Sequence, residues 1–145
     1  MIHRSMLRAI AVAGALALAP LPAPADTGET PPALDGARTV TAQEAQALIK
    51  SGAVVYDARR KAAFLEGHLP GAQSLAGKID SEKKSVDLAA FGADKAKSII
   101  IHGHGSDGWS AVYAVKGVVA AGFSKVHWMR GGWAEWSKAG LPVEK

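Results

Sequence analysis

Apolar residues come in short separate bursts along this chain, divided by glycines, prolines and charged stretches. Ala53-Val54-Val55-Tyr56-Asp57 and Ser98-Ile99-Ile100-Ile101-His102 are β-branched runs of strand length and predict two buried strands, each ending on a polar residue. Gln73–Leu75 predicts a brief strand and Lys125–Trp128 a further one. Between them the spacing turns helical. Thr41-Ala-Gln-Glu44 has capping-box spacing, with Ala45, Leu48 and Ile49 on one face and Gly52 placed to end the helix. Arg59 to Glu66 forms a short helix stopped by Gly67, and His68-Leu69-Pro70-Gly71-Ala72 is a turn. A helix from about Trp109 to Ala121 carries Ala111, Val115, Val118 and Val119 on one face before Gly122, and a last one runs from Trp133 to Ala139 before Gly140. Gly77–Lys97 is densely charged and reads as solvated loop, apart from a docked turn over Val86–Phe91. Strands alternating with helices favour parallel pairing through right-handed crossovers, hence a small three-layer α/β domain with a central, mainly parallel sheet flanked by helices. In such folds ligands sit at the carboxyl ends of the strands, so the loop after His102 is the first place to look for function.

The N-terminus follows a different pattern. A positive start, His3, Arg4 and Arg8, leads into an apolar run from Ala9 to Leu21 and then Ala23-Pro24-Ala25. This is the layout of a secretory signal peptide over residues 1–25, cleaved after Ala25, and the expected location is periplasmic or secreted. The alternative, an uncleaved anchor, is opposed by Pro20, Pro22 and Pro24 and by a run too short to span, and no later segment is apolar enough to cross a membrane. Residues 26–39, polar and proline-bearing at first, read as a flexible lead-in without chemistry, and residues 40–143 as the domain.

Composition narrows the chemistry. The 145 residues hold no cysteine, which removes disulfides, thiolate metal sites and any cysteine nucleophile. Net charge is +4; losing Arg4 and Arg8 with the leader leaves fifteen basic against thirteen acidic residues, +2, with no basic run longer than Arg59-Arg60-Lys61. Nucleic acid is therefore not an expected partner.

Three places then resemble the rhodanese-like domain family. Asp57, Arg59, Phe64, Gly67, His68, Pro70, Gly71 and Ala72 look like its Asp-x-Arg, Phe and Gly-His-x-Pro-Gly-Ala signature; Ile99 to Ala121 matches its strand, active-site loop and helix; Arg130-Gly131-Gly132-Trp133 with Trp136, Gly140, Leu141 and Pro142 looks like its closing motif. The resemblance covers roughly Val40 to Val143 and implies the family's fold and, by label, thiosulfate sulfurtransfer. It also implies structural roles: Asp57 and Arg59 as a charge-assisted pair, and His68 bracing its turn by hydrogen bonds. The departure lies in the loop. Where the family carries its persulfide cysteine this chain has Gly103, and a shift of one residue either way brings His102 or His104 to that position. The loop also resembles an exported branch with two cysteines, the second just before a Trp; both positions are glycine here, Gly103 and Gly108. That branch is associated with exported quinoprotein-dependent oxidation, which implies a periplasmic redox protein as partner.

Without a thiol no catalytic residue is assigned and no cofactor is implied. The ligand-binding loop Gly103, His104, Gly105, Ser106, Asp107, Gly108 and Trp109 offers glycine-freed N–H groups and a helix N-terminus suited to a small oxyanion. Asp107 opposes an anion there, and the plain alternative is a tight turn. His102 and His104, with Asp107, are weak metal candidates because a third convincing ligand is missing. Ser106 and Ser110 near those histidines permit a serine hydrolase on paper, with no nucleophile-elbow motif behind it. Trp109 is read as a pocket wall, a core residue or a contact for a partner, and Trp133 and Trp136 as cover for the sheet. The expected protein is an exported rhodanese-like module without sulfurtransferase activity that binds an anion or a protein; the alternative is an enzyme on the same scaffold.

Overall fold

The computed structural model describes residues 11–21 and 26–145; the positive start and the expected cleavage motif Ala23-Pro24-Ala25 lie outside the described residues. Residues 11–21 are exposed and take no regular structure.

The elements in chain order are β1 (Ala37–Thr39), α1 (Ala42–Lys50), β2 (Val54–Asp57), α2 (Lys61–Glu66), β3 (Gln73–Ser74), β4 (Ile79–Asp80), β5 (Ser85–Val86), β6 (Ser98–His102), α3 (Trp109–Ala120), β7 (Lys125–Met129) and α4 (Gly132–Lys138). Five strands form one sheet in the order β1-β7-β6-β2-β3, every pair parallel. The long apolar runs occupy its centre. β6 is paired on both sides, Ile100 lying opposite Val55 of β2 and His127 of β7.

Alternation along the central strands assigns side chains to two cores. Ile99 and Ile101 pack with Val112, Val115, Val118, Phe91 and Trp128 on the α3 face, while Ile100 packs with Val55, Met129, Ala45 and Trp136 beneath α1 and α4. Both faces of β6 are thus covered, which is why its sequence shows no polar alternation. Thr41 caps α1 in a complete capping box with Glu44.

Three segments depart from the sequence-based expectation. β1 lies within the expected lead-in, paired with β7. The charged region expected as loop folds back as a two-stranded antiparallel hairpin, β4 with β5, and the docked turn over Leu88–Phe91 is a 3-10 turn burying Phe91. Residues 26–36 are seated rather than loose: Leu34 is in the core and Thr30 is buried. The physical reason is long-range, since their partners lie on the loop after β6 and on Arg130.

Candidate anion-binding loop

The floor of the site is set by the ends of the two central strands. Asp57, fully buried, closes β2 opposite His102 at the end of β6. Its carboxylate accepts from the Arg59 guanidinium at 2.7, 3.0 and 3.1 Å and from the Arg59 backbone N–H at 2.9 Å. Arg59 also donates to Gly67 O at 2.7 Å and lies 4.3 Å over the Trp133 ring. One buried cation therefore joins β2, the turn at Gly67 and the start of α4, with its charge satisfied by Asp57. His68 sits on that turn: Nδ1 is 3.0 Å from Phe64 O, the ring stacks on Phe64 at 4.0 Å, and its backbone pairs with Glu144.

His102 is fully buried beneath the loop. Its Nδ1 lies 3.0 Å from Gly103 O, and its Nε2 is 3.8 Å from the Asp57 carboxylate with no hydrogen-bond partner among the described residues. Burial holds its pKa below the ordinary histidine value, against the opposing pull of Asp57 and the Gly103 carbonyl. His104 is exposed, so the two histidines do not converge on a common point. Among the described residues no group of three metal-ligating side chains forms.

Above this floor every carbonyl of the loop from Gly103 to Ser106 is engaged. Trp133 and Ala134, at the start of α4, donate their N–H groups to Gly103 O and His104 O at 3.0 and 2.8 Å, and Gly108 N–H donates to Gly105 O at 2.9 Å. Ser106 O accepts both the N–H and the hydroxyl of Thr30, at 2.8 and 2.6 Å. No peptide here is cis, and in a trans peptide the carbonyl and the next N–H point opposite ways. With these four carbonyls engaged, three by residues outside the loop and that of Gly105 by Gly108 within it, the N–H groups of His104, Gly105, Ser106 and Asp107 are left over, and none finds a partner among the described residues. They adjoin the N-terminus of α3, which Gly108 opens without a side-chain cap. The Asp107 carboxylate, on an exposed residue, accepts no hydrogen bond from them.

The loop borders a cleft of about 730 Å³ lined by Arg59, Gly103, His104, Asp107, Trp109 and Trp133. Its base is narrow. A Cβ at Gly103 would lie 3.4 Å from Gly108 Cα and from Ala111 Cβ, so Gly103 and Gly108 face each other and room for a ligand is in the cleft, outside the gap between them. Ser110 lines the cleft as well, yet neither its hydroxyl nor that of Ser106 bonds to a histidine. The tryptophans divide: Trp136 is core, Trp133 is a cleft wall beneath Arg59, and Trp109 is a cleft wall whose indole N–H donates to Gly28 O at 3.0 Å.

Thr30 and Arg130 are the residues that sequence reasoning did not place here. Arg130 donates to Thr30 O at 2.7 Å and to its hydroxyl at 3.1 Å, while Asp26, farther along the same strap, accepts from Tyr113 at 3.0 Å and pairs with Lys84 at 2.8 Å. Nothing local in Asp26–Thr30 marks this, because the partners of Thr30, Ser106 and Arg130, lie 76 and 100 positions away.

A rhodanese-like domain model matches residues 41–139. A thiosulfate sulfurtransferase of Pseudomonas fluorescens, GlpE, is 34% identical over 102 residues, covering 68% of this chain and 84% of that protein. Thiosulfate sulfurtransferase YnjE of Escherichia coli is 32% identical over 92 residues, 57% of this chain and only 21% of YnjE. Among solved structures, Alr3790 from Anabaena superposes with a TM-score of 0.58 at 26% identity, covering 72% of this chain and 90% of that one. YnjE superposes at 0.61 and 26% identity, over 74% and 30% of the two chains.

Proposed function

The chain belongs to the rhodanese-like domain family, and from that premise we propose that it is an exported member that performs no thiosulfate sulfurtransfer and binds a small oxyanion at the Gly103–Gly108 loop. The observation that carries the reading is the loop's carbonyl accounting: four engaged carbonyls leave four consecutive N–H groups without a partner among the described residues, beside the N-terminus of a twelve-residue helix that has no side-chain cap. Backbone donors and a helix dipole serve an anion without a thiol, whereas sulfur transfer through a persulfide requires the cysteine that this sequence lacks throughout. The thiosulfate sulfurtransferase activity that the relatives are named for is thus set aside on chemical grounds, while the shared fold is kept. A partner among exported redox proteins is part of the same proposal, on the resemblance of the loop to the two-cysteine branch.

The test is a thermal-unfolding series with thiosulfate, sulfate and phosphate against chloride of equal ionic strength, beside a thiosulfate-to-cyanide transfer assay. A ligand that binds only the native state raises Tm. An oxyanion-specific rise with no turnover above buffer is expected. No rise with any of the three anions overturns the binding role, and turnover above buffer overturns the inactive one.

A further inference from the structure

The family match begins at residue 41, yet the loop's fourth carbonyl is held by residue 30. We infer that Thr30 and Arg130 form a clamp that orients the anion-binding loop, so that the site is completed by a segment outside the shared domain; the inference rests on the anion reading proposed above.

α4 fixes the carbonyls of Gly103 and His104, and the loop itself fixes that of Gly105. The Ser106–Asp107 peptide has neither support. Its orientation depends on Thr30, whose N–H and hydroxyl both point at Ser106 O and which is only 3% exposed. Arg130 in turn holds Thr30 through its carbonyl and its hydroxyl, and the Trp109 indole holds Gly28 two residues earlier. If Thr30 releases Ser106 O, the peptide is free to rotate, and the Asp107 N–H, closest of the four to α3, loses its direction. Thr30 is therefore a positioning residue. It touches no ligand, and its effect is transmitted through one peptide plane.

Thr30→Val keeps shape and backbone but removes the hydroxyl; Thr30→Ser keeps both donors. In the wild-type protein thiosulfate or phosphate binds, and the Ser106 and Asp107 amides show order parameters near the rigid value of about 0.85. Thr30→Val leaves Ser106 O only the backbone N–H of residue 30 and removes the hydroxyl that Arg130 Nε also grips; the affinity falls about tenfold, the scale of one lost hydrogen bond, and both order parameters fall below the wild-type value, whereas Thr30→Ser restores both. A clamp that is merely structural lowers Tm and leaves affinity and order unchanged, which overturns the inference while the anion reading stands. Wild-type protein that binds neither anion, with amides that loosen in Thr30→Val, sinks the anion reading and keeps the clamp. No binding and no loosening sinks both. Arg130→Met, which unfastens Thr30 without replacing it, gives the same readouts should Thr30→Val fail to fold.

Discussion

Arg59 concentrates the site's buried charge in one side chain, and its substitution has a calculable cost. Arg59→Met would leave the fully buried Asp57 carboxylate with neither its cation nor the guanidinium hydrogen bonds, the situation in which buried pairs lose about 3–5 kcal/mol. Denaturant unfolding is expected to show that loss; under about 1 kcal/mol would mean that the pair contributes little. His102 makes a different prediction, of slope rather than level. Its native pKa is lowered by burial, so near pH 7.5 it is neutral in both states and stability is complete. As pH falls through the ordinary histidine value near 6.5, the unfolded chain takes up a proton that the native chain does not, and stability falls by roughly 1 kcal/mol per pH unit until the native pKa is reached. Unfolding free energies measured from pH 7.5 to 5.5 are expected to fall more steeply for wild type than for His102→Asn; equal slopes would place the proton elsewhere.

At the scale of elements, the Gly103–Gly108 loop runs from β6 into α3 and is held by the N-terminus of α4. Gly132 takes φ +55° where α4 meets the loop, and a Cβ there would run into Gly103 O and lie 2.9 Å from Gly105 N. Gly132→Ala therefore combines left-handed strain with a backbone collision and is expected to cost about 2–4 kcal/mol in an unfolding titration. Gly103→Cys is the milder change, its Cβ meeting Ala111 and Gly108 at 3.4 Å, and the new thiol would stand at the N-terminus of α3 beside unpaired N–H groups. Its alkylation rate against pH should titrate well below the usual thiol value of about 8.5; a midpoint at or above that value would mean that the loop exerts no such field. These junctions explain what the sequence made legible. β2 and β6 are readable because a strand covered on both faces must be continuously apolar, and α1 because its cap is local. β4 and β5 are two-residue strands with one apolar residue each, Ile79 and Val86, and β1 has none larger than Ala37, so no periodicity could have marked them. The loop's position was legible from the strand before it and the helix after it. Its closure by Gly103 against Gly108, and its clamp by Thr30, arise from contacts that no window along the chain contains.

For the whole molecule the question is which part of the chain is the working protein. Leu34 enters the core and Thr30 the loop, whereas Val12, Leu16, Leu18 and Leu21 are 87%, 88%, 88% and 91% exposed. Four exposed large apolar side chains in one unstructured stretch are what the proposed export reading accounts for, since a leader with this charge, length and small-x-small ending would be removed. Among the described residues no helix is long and apolar enough to cross a membrane. Cleavage after Ala25 would spare every residue of the strap, since Asp26 is its first anchored position, tied to Tyr113 and Lys84. Expressed in a Gram-negative host, the protein is expected in the periplasmic fraction as a single species whose mass and N-terminal sequence begin at Asp26, and Ala25→Leu, which spoils the small-residue site, should accumulate the precursor. Full-length protein in the membrane fraction would establish an anchor instead. A mature start just beyond Thr30 would be the most consequential result, because such a molecule loses both donors that hold Ser106 O, and its loop would loosen further than in Thr30→Val.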